Sequence, residues 1–178
     1  MTGNEMPPAI EPESGLSKIE ASKIEASKTE PTKAEPAKKE SSLKLGVYLC
    51  RCGGNIGDAV DLQAVAEKLK EDKNVTVNIQ DYLCSSVGQE KIKNDIEKGK
   101  VDRVVIGSCS PKLHLETFRG MANTAGLNPT LLEITNVREQ ASWVHDKESK
   151  ENVNAKVKGL IIGAVARMSS IETLLPLT

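Results

Sequence analysis

Four short apolar runs alternate with stretches of helical periodicity, and this alternation restricts the fold more than any other feature of the chain. The runs are Leu45–Leu49, Val75–Ile79, Arg103–Gly107 and Thr130–Thr135. Each has the length of a buried strand. Between them, Leu62, Val65, Ala66 and Leu69 recur at i, i+3, i+4 and i+7, the stripe of an amphipathic helix. Ile92 and Ile96 repeat that spacing more weakly, behind Ser86 and Gln89, which have capping-box spacing. Phe118, Met121, Ala122 and Ala125 carry a third stripe, with Ser110-Pro111 as a start signal and Gly126 as a stop. Val153, Val157, Ile161, Val165 and Met168 mark a long last helix. Strands alternating with helices predict an α/β fold in three layers, a parallel sheet of about four strands with helices on both faces. The crossovers should be right-handed. Every strand's carboxyl end then lies on one edge of the sheet, where such folds bind ligands.

The four cysteines fall on that edge. Cys50 and Cys52 directly follow the first run, Cys84 lies in the loop after the second, and Cys109 lies just past the third. A single buried cysteine is normally a small core hydrophobe. Four that all land behind strands point instead to one shared site. Iron–sulfur clusters and structural zinc both take four cysteines. The C-x-C pair is too tight for a standard zinc knuckle, and the other two cysteines stand alone, but the spacing matches no common ferredoxin run either. A C-x-C pair is also poorly placed to close a strain-free disulfide.

The surroundings suit an anionic group. Gly53, Gly54 and Gly57 would let backbone N–H groups come close to sulfur. The third helix starts beside Cys109 with its positive end. Ser108, Ser110, Lys112 and His114 are candidate donors, although Ser110 also suits a helix cap and His114 a first-turn surface residue. Arg138 and Gln140 follow the fourth run, so they belong to the same edge. Trp143 follows too. A lone tryptophan in a chain so poor in aromatics is more often core, so packing of the last helix is its expected role, with a cover over the cysteines as the other. The glycine-rich stretch Cys52–Gly57 is neither G-x-G-x-x-G nor a phosphate loop ending in G-K-[ST].

Composition divides the chain unevenly. Residues 1–43 contain no cysteine, no aromatic residue and five of the eight prolines. Residues 17–42 repeat a five-residue Lys/Glu unit, SKIEA SKIEA SKTEP TKAEP. A period of five fits neither helix nor strand. A disordered tail over residues 1–43 and a folded domain over 44–178 are expected. The net charge is −1 without a clustered basic face, so no nucleic-acid partner is expected. No segment has the apolar length of a membrane span, and the N-terminus lacks the features of a secretory signal. A cytoplasmic location is expected, and there cysteines hold metal more often than disulfides.

Longer motifs carry a resemblance. Gly46-Val47-Tyr48-Leu49-Cys50-Arg51-Cys52-Gly53, Tyr82-Leu83-Cys84-Ser85 with Gly88-Gln89, Cys109-Ser110-Pro111-Lys112-Leu113-His114 with Thr117-Phe118-Arg119, Gly126-Leu127-Asn128-Pro129 and the run from Asn136 to His145 follow one another in order. The chain thereby resembles the N-terminal domain of the A subunit family of heterodisulfide reductase, from methanogenic archaea and some anaerobic bacteria. The resemblance implies a [4Fe-4S] cluster on Cys50, Cys52, Cys84 and Cys109; Gly53, Gly54, Ser110, His114, Arg138 and Gln140 are expected around it from their places in the chain. It implies electron transfer within a flavin-containing complex of methanogenesis that reduces the coenzyme M–coenzyme B disulfide. FAD is expected in a partner or a missing domain, since this chain carries no flavin fingerprint and no ferredoxin motif. Alone it would catalyse nothing. It is expected to be a stand-alone or split form whose partners are flavin-bearing and other subunits of such a complex, with surplus apolar surface on its last helix, including Leu174 and Leu175, as a docking face. Relatives often carry a cysteine where this chain has Ala141. A non-catalytic zinc module and a thiol redox sensor are the alternatives.

Overall fold

A computed structural model describes residues 43–174 of the chain. The Lys/Glu repeat with its expected disorder, and Leu175, lie outside the described residues. The element order is strand β1 (Leu45–Cys50), helix α1 (Leu62–Leu69), β2 (Val75–Gln80), α2 (Ser86–Glu97), β3 (Arg103–Ser108), α3 (Pro111–Thr124), β4 (Leu132–Asn136) and α4 (Lys150–Ser170). The four strands form one sheet in the order β2-β1-β3-β4. All three pairings are parallel: Leu45 lies opposite both Val75 and Arg103, and Val104 lies opposite Leu132. The expected α/β architecture is therefore present.

Alternation along β1 builds the two cores. Leu45, Val47 and Leu49 join one apolar cluster with the stripes of α1 and α4. Tyr48 and Cys50 join the other, with Ile92 and Ile96 of α2 and Phe118 and Ala122 of α3. Successive side chains of a strand point to opposite faces, so a strand covered on both sides must be apolar throughout. All six residues of β1 are buried. Gly46 is the small residue this requires. A Cβ there would stand 2.8 Å from the Tyr48 ring and from Val101.

Several boundaries differ from the sequence pattern, for local reasons. β1 runs on through Cys50, because its ladder with β2 extends to the Cys50–Gln80 pair. β4 begins at Leu132 rather than Thr130. Pro129 starts a short 3-10 turn there, and Asn128 accepts from the Thr130 N–H at 2.9 Å. The cap of α2 is Ser85, not Ser86: its Oγ accepts from the Gly88 N–H at 3.1 Å. Gln89 is then one position too far on to close a capping box, and its amide donates instead to the Cys84 carbonyl at 2.8 Å. α3 has the cap and stop read from sequence, Ser110 before Pro111 and Gly126 at φ 87°.

The last helix also differs. Its buried stripe is Val153, Val157, Ile161, Ala164 and Met168, with Val165 half-buried beside it. This stripe lies on the core, so the helix is taken up with covering the sheet. Of the surplus expected as a docking face, Ile162 and Leu174 are the large apolar side chains left exposed there among the described residues. A truncation near Gly159 would remove Ile161, Ala164 and Met168 from that core stripe. No helix among the described residues is long and apolar enough to cross a membrane.

One polar group is built into the second core. The Tyr48 hydroxyl donates to the Asp95 carboxylate at 3.0 Å, and both are buried. Burial alone would raise the Asp95 pKa, but Lys91, the Tyr48 hydroxyl and Lys100 together hold it below the ordinary value of 3.8. A carboxylate with a lowered folded pKa stabilises the fold at pH above its unfolded value, and that contribution is lost as the pH falls. Acid unfolding should therefore lose one component in Asp95→Asn. The variant's stability, followed by circular dichroism, should fall less steeply below about pH 4 than that of the unaltered chain. Ile161→Ala should cost about 2–5 kcal/mol in urea denaturation, as for other aliphatic truncations in a packed core.

Candidate metal centre

The sheet order reverses at β1. The chain leaves β1 for β2 on one side, then passes back across to β3 on the other. Loops that leave such a switch point in opposite directions open a crevice between them. Cys50 ends β1, Cys52 lies in the loop after it and Cys109 in the loop after β3, so three of the four cysteines lie at this switch point. Cys84 comes from the loop after β2, on the adjacent strand. All four are free thiols; Cys50 and Cys109 are buried, Cys52 is half-buried and Cys84 is exposed.

The loop after β1 is tightly wound. Arg51 is right-handed, at φ −72° and ψ −22°. Cys52 then takes φ 52°, alone among the described non-glycine residues in having a positive φ, and Gly53 and Gly54 follow at 59° and 96°. A left-handed residue with a side chain costs roughly 1–2 kcal/mol. The conformation persists here because Ile56 and Gly57 both donate to the Arg51 carbonyl, at 3.1 and 3.0 Å, and Asn55 ties back to Cys52. A change of hand between successive residues turns their N–H groups to one side, the arrangement of an anion-binding nest.

Each buried thiol is poised between opposing effects. Burial pushes the Cys50 thiol up. The backbone N–H groups of Leu83 and Cys52 pull it down, and the neighbouring Cys52 and Cys84 sulfurs push it up again. The Leu83 N–H reaches Cys50 Sγ at 3.5 Å. Burial likewise pushes Cys109 up, Arg138 opposes it, and Cys52, Glu139 and Cys50 add to it. These mutual influences join the four cysteines into one electrostatic neighbourhood. At the same time, no group of three or more His, Cys, Asp or Glu side chains among the described residues is drawn close enough to hold a single metal ion.

The loop after β4 brings in a cation. Arg138 opens a single π-helical turn, Arg138–Ser142, directly after β4. Isolated π turns are frequent at functional sites. The turn is anchored to the end of β3 by the Val137 N–H, which donates to the Ser108 carbonyl at 2.7 Å. Arg138 Nη1 donates to Cys52 Sγ at 3.4 Å. Trp143 is not core. It is 50% exposed, lies 4.5 Å from the Arg138 guanidinium and donates from its indole N–H to Asn55 at 3.3 Å. Ala141 is fully buried in the core shared with α1 and α4.

The other residues named from sequence go to different places. Gly53 lies against Tyr82, whose hydroxyl would be 2.7 Å from a Cβ, and Gly54 lies against the Asp58 carboxylate. Ser110 commits its hydroxyl to the Lys112 N–H as the cap of α3. His114 packs edge-on to Phe118, at 6.5 Å between ring centres. Gln140 is exposed and lines an open depression with His145, Lys156, Gly159 and Leu160. Several contributors were not read from sequence, Asn55 and Glu139 among them. The Leu83 N–H has no side-chain signature. Tyr82, two residues before Cys84, is marked only by its position.

Gly88 sets the height of the Cys84 loop over α2. A Cβ there would fall 2.3 Å from the Tyr82 carbonyl oxygen and 2.6 Å from Leu83 Cα, both rigid backbone atoms. Gly88→Ala should destabilise the domain by about 1–3 kcal/mol, the range for overpacking. Gly163→Ala in α4, where the space is open, should instead stabilise it by roughly 1 kcal/mol. Thermal melts of the two variants should move in opposite directions.

No family model matches the chain. Individual proteins do. It is 46% identical over 132 residues to the second iron-sulfur A subunit of CoB–CoM heterodisulfide reductase from Methanopyrus kandleri, a match that covers 74% of this chain and 20% of that protein. It is 44% identical over 133 residues to a protein of Archaeoglobus profundus that is itself described as like the A subunit of heterodisulfide reductase, 74% of this chain and 19% of that one. It is also 44% identical over 132 residues to the A subunit of the H(2):CoB-CoM heterodisulfide,ferredoxin reductase of Methanothermobacter thermautotrophicus, again 74% and 20%. The chain thus spans about a fifth of the length of the relatives it matches. Over that span it is a relative of the heterodisulfide reductase A subunit.

Proposed function

We propose that this domain holds one iron–sulfur cluster, of the [4Fe-4S] type, on Cys50, Cys52, Cys84 and Cys109, and passes electrons within a heterodisulfide reductase-like complex. The observation that carries the proposal is the position of all four free cysteines at or just after the ends of β1, β2 and β3, with backbone N–H donors on Cys50 and a guanidinium on Cys52. The donor set fits the group. Four thiolates complete the ligation of one cluster, and N–H groups aimed at sulfur stabilise its reduced, more negative form. Four thiolates would also complete the ligation of one zinc ion, at about 2.3 Å each. The name of the Methanopyrus relative, an iron-sulfur subunit, favours the cluster.

A bound cluster would accept and release one electron at a time. The protein's own part is to hold the thiolates, supply N–H donors and admit a partner. The exposed Cys84, with Tyr82 56% and Val87 76% exposed beside it, offers an approach from solvent. Electron donors and acceptors would be other subunits of such a complex, a flavin-bearing one among them, and the location would be cytoplasmic. The chain itself would catalyse no reaction.

Anaerobic purification followed by iron, sulfide and zinc analysis tests this reading. About four iron and four sulfide per chain are expected. Cys50→Ser or Cys84→Ser should each deplete both. His114→Ala should leave iron and sulfide unchanged, because that ring is engaged with Phe118. One zinc per chain without iron would overturn the proposal.

A further inference from the structure

Four residues close a ring over the loop after β1. Arg138 Nη1 donates to Cys52 Sγ at 3.4 Å, and the Arg138 guanidinium lies 4.5 Å from the centre of the Trp143 ring. Trp143 donates to Asn55 Oδ1 at 3.3 Å, and Asn55 returns to the Cys52 carbonyl at 2.9 Å. The rest of the guanidinium is also committed. Its Nε and Nη2 both donate to Glu139 Oε1, at 3.2 and 2.9 Å. The side chain is 16% exposed, so its charge is poorly screened by water. All three guanidinium nitrogens of Arg138 thus have partners, and Trp143 lies against the group.

We infer that this clasp is a potential-setting device: Trp143 fixes the Arg138 cation on the sulfur of Cys52, so that it favours the reduced state of the group the cysteines hold, while the Glu139 carboxylate offsets part of that charge. The inference rests on the iron–sulfur reading and adds to it a positioning role for Trp143 and an opposing role for Glu139. The step it acts on is uptake of one electron by the cluster from a one-electron donor, with no bond made or broken in the protein. That electron adds one negative charge beside Cys52. A fixed cation stabilises the added charge, and the Glu139 carboxylate partly cancels the cation. Removing either charge must therefore move the potential in opposite directions. A clasp that merely held the two loops together would not produce opposite signs.

The test is a redox titration of the purified, iron-loaded chain with dithionite and mediators, followed by electron paramagnetic resonance, with iron and sulfide measured on each sample. Arg138→Gln should lower the midpoint, so that at fixed potential the reduced-to-oxidised ratio falls about tenfold, or about 59 mV for one electron. Glu139→Gln should raise it. Trp143→Ala should lower it by less than Arg138→Gln. Trp143 is half exposed, so this variant is expected to fold. If Arg138→Gln does not load iron, Glu139→Gln and Trp143→Ala decide between them, and their shifts must be opposite. Fully loaded variants with an unchanged midpoint, or shifts of the same sign, overturn the inference and leave the cluster reading intact. An unaltered chain without iron and sulfide overturns both.

Discussion

β1 is paired along its length by β2 on one side and β3 on the other, and it is covered by helices on both faces. Both cores and the thiol site derive from that central position. Its six residues have to be apolar or small, because neither face reaches water. The connections leaving it and returning past it run in opposite directions, so the crevice between the ends of β1 and β3 needs no special device. The ends of these two strands and the loops after them hold three of the four cysteines. The strained Cys52 turn follows directly on β1, held by the carbonyl of Arg51.

Around the thiols, burial and hydrogen bonding oppose each other. Taking Cys50 and Cys109 out of water favours their neutral forms, while N–H groups and the Arg138 cation favour negative charge on sulfur. A site that only buried the cysteines would keep them as inert core thiols. One that only surrounded them with donors would leave them open to solvent. The combination here suits a buried anionic group whose charge changes, which is the chemistry proposed. Arg138 reaches this site from the far side of β3, because the Val137 N–H pins the turn after β4 to the end of that strand.

Much of this was legible in the residues. The apolar runs located all four strands, the Leu62, Ile92, Phe118 and Val153 stripes located the helices, and the place of each cysteine behind a strand put them on one edge. These features are local, set by side-chain period and by start and stop signals over a few residues. Two side-chain readings differ from the structure, the core role of Trp143 and the cap of α2. Both were placed by residue type, whereas the path of the backbone at a helix end decides which of two neighbouring residues meets the core or caps the turn. Arg138 and Gln140 are two positions apart in one π turn. One meets Cys52, and the other faces an open depression beside α4.

The α/β layering, the parallel order of strand and helix, and the edge on which the thiols lie are written in the residues alone, because periodicity and alternation leave few other ways to bury those side chains. Which groups touch sulfur was decided by packing in three dimensions. The Leu83 N–H on Cys50, the Arg138 guanidinium on Cys52 and the Trp143 ring over Arg138 join residues 33, 86 and five positions apart. Contacts of the first two kinds depend on how separate strands are brought side by side, and no local pattern in the chain encodes that distance.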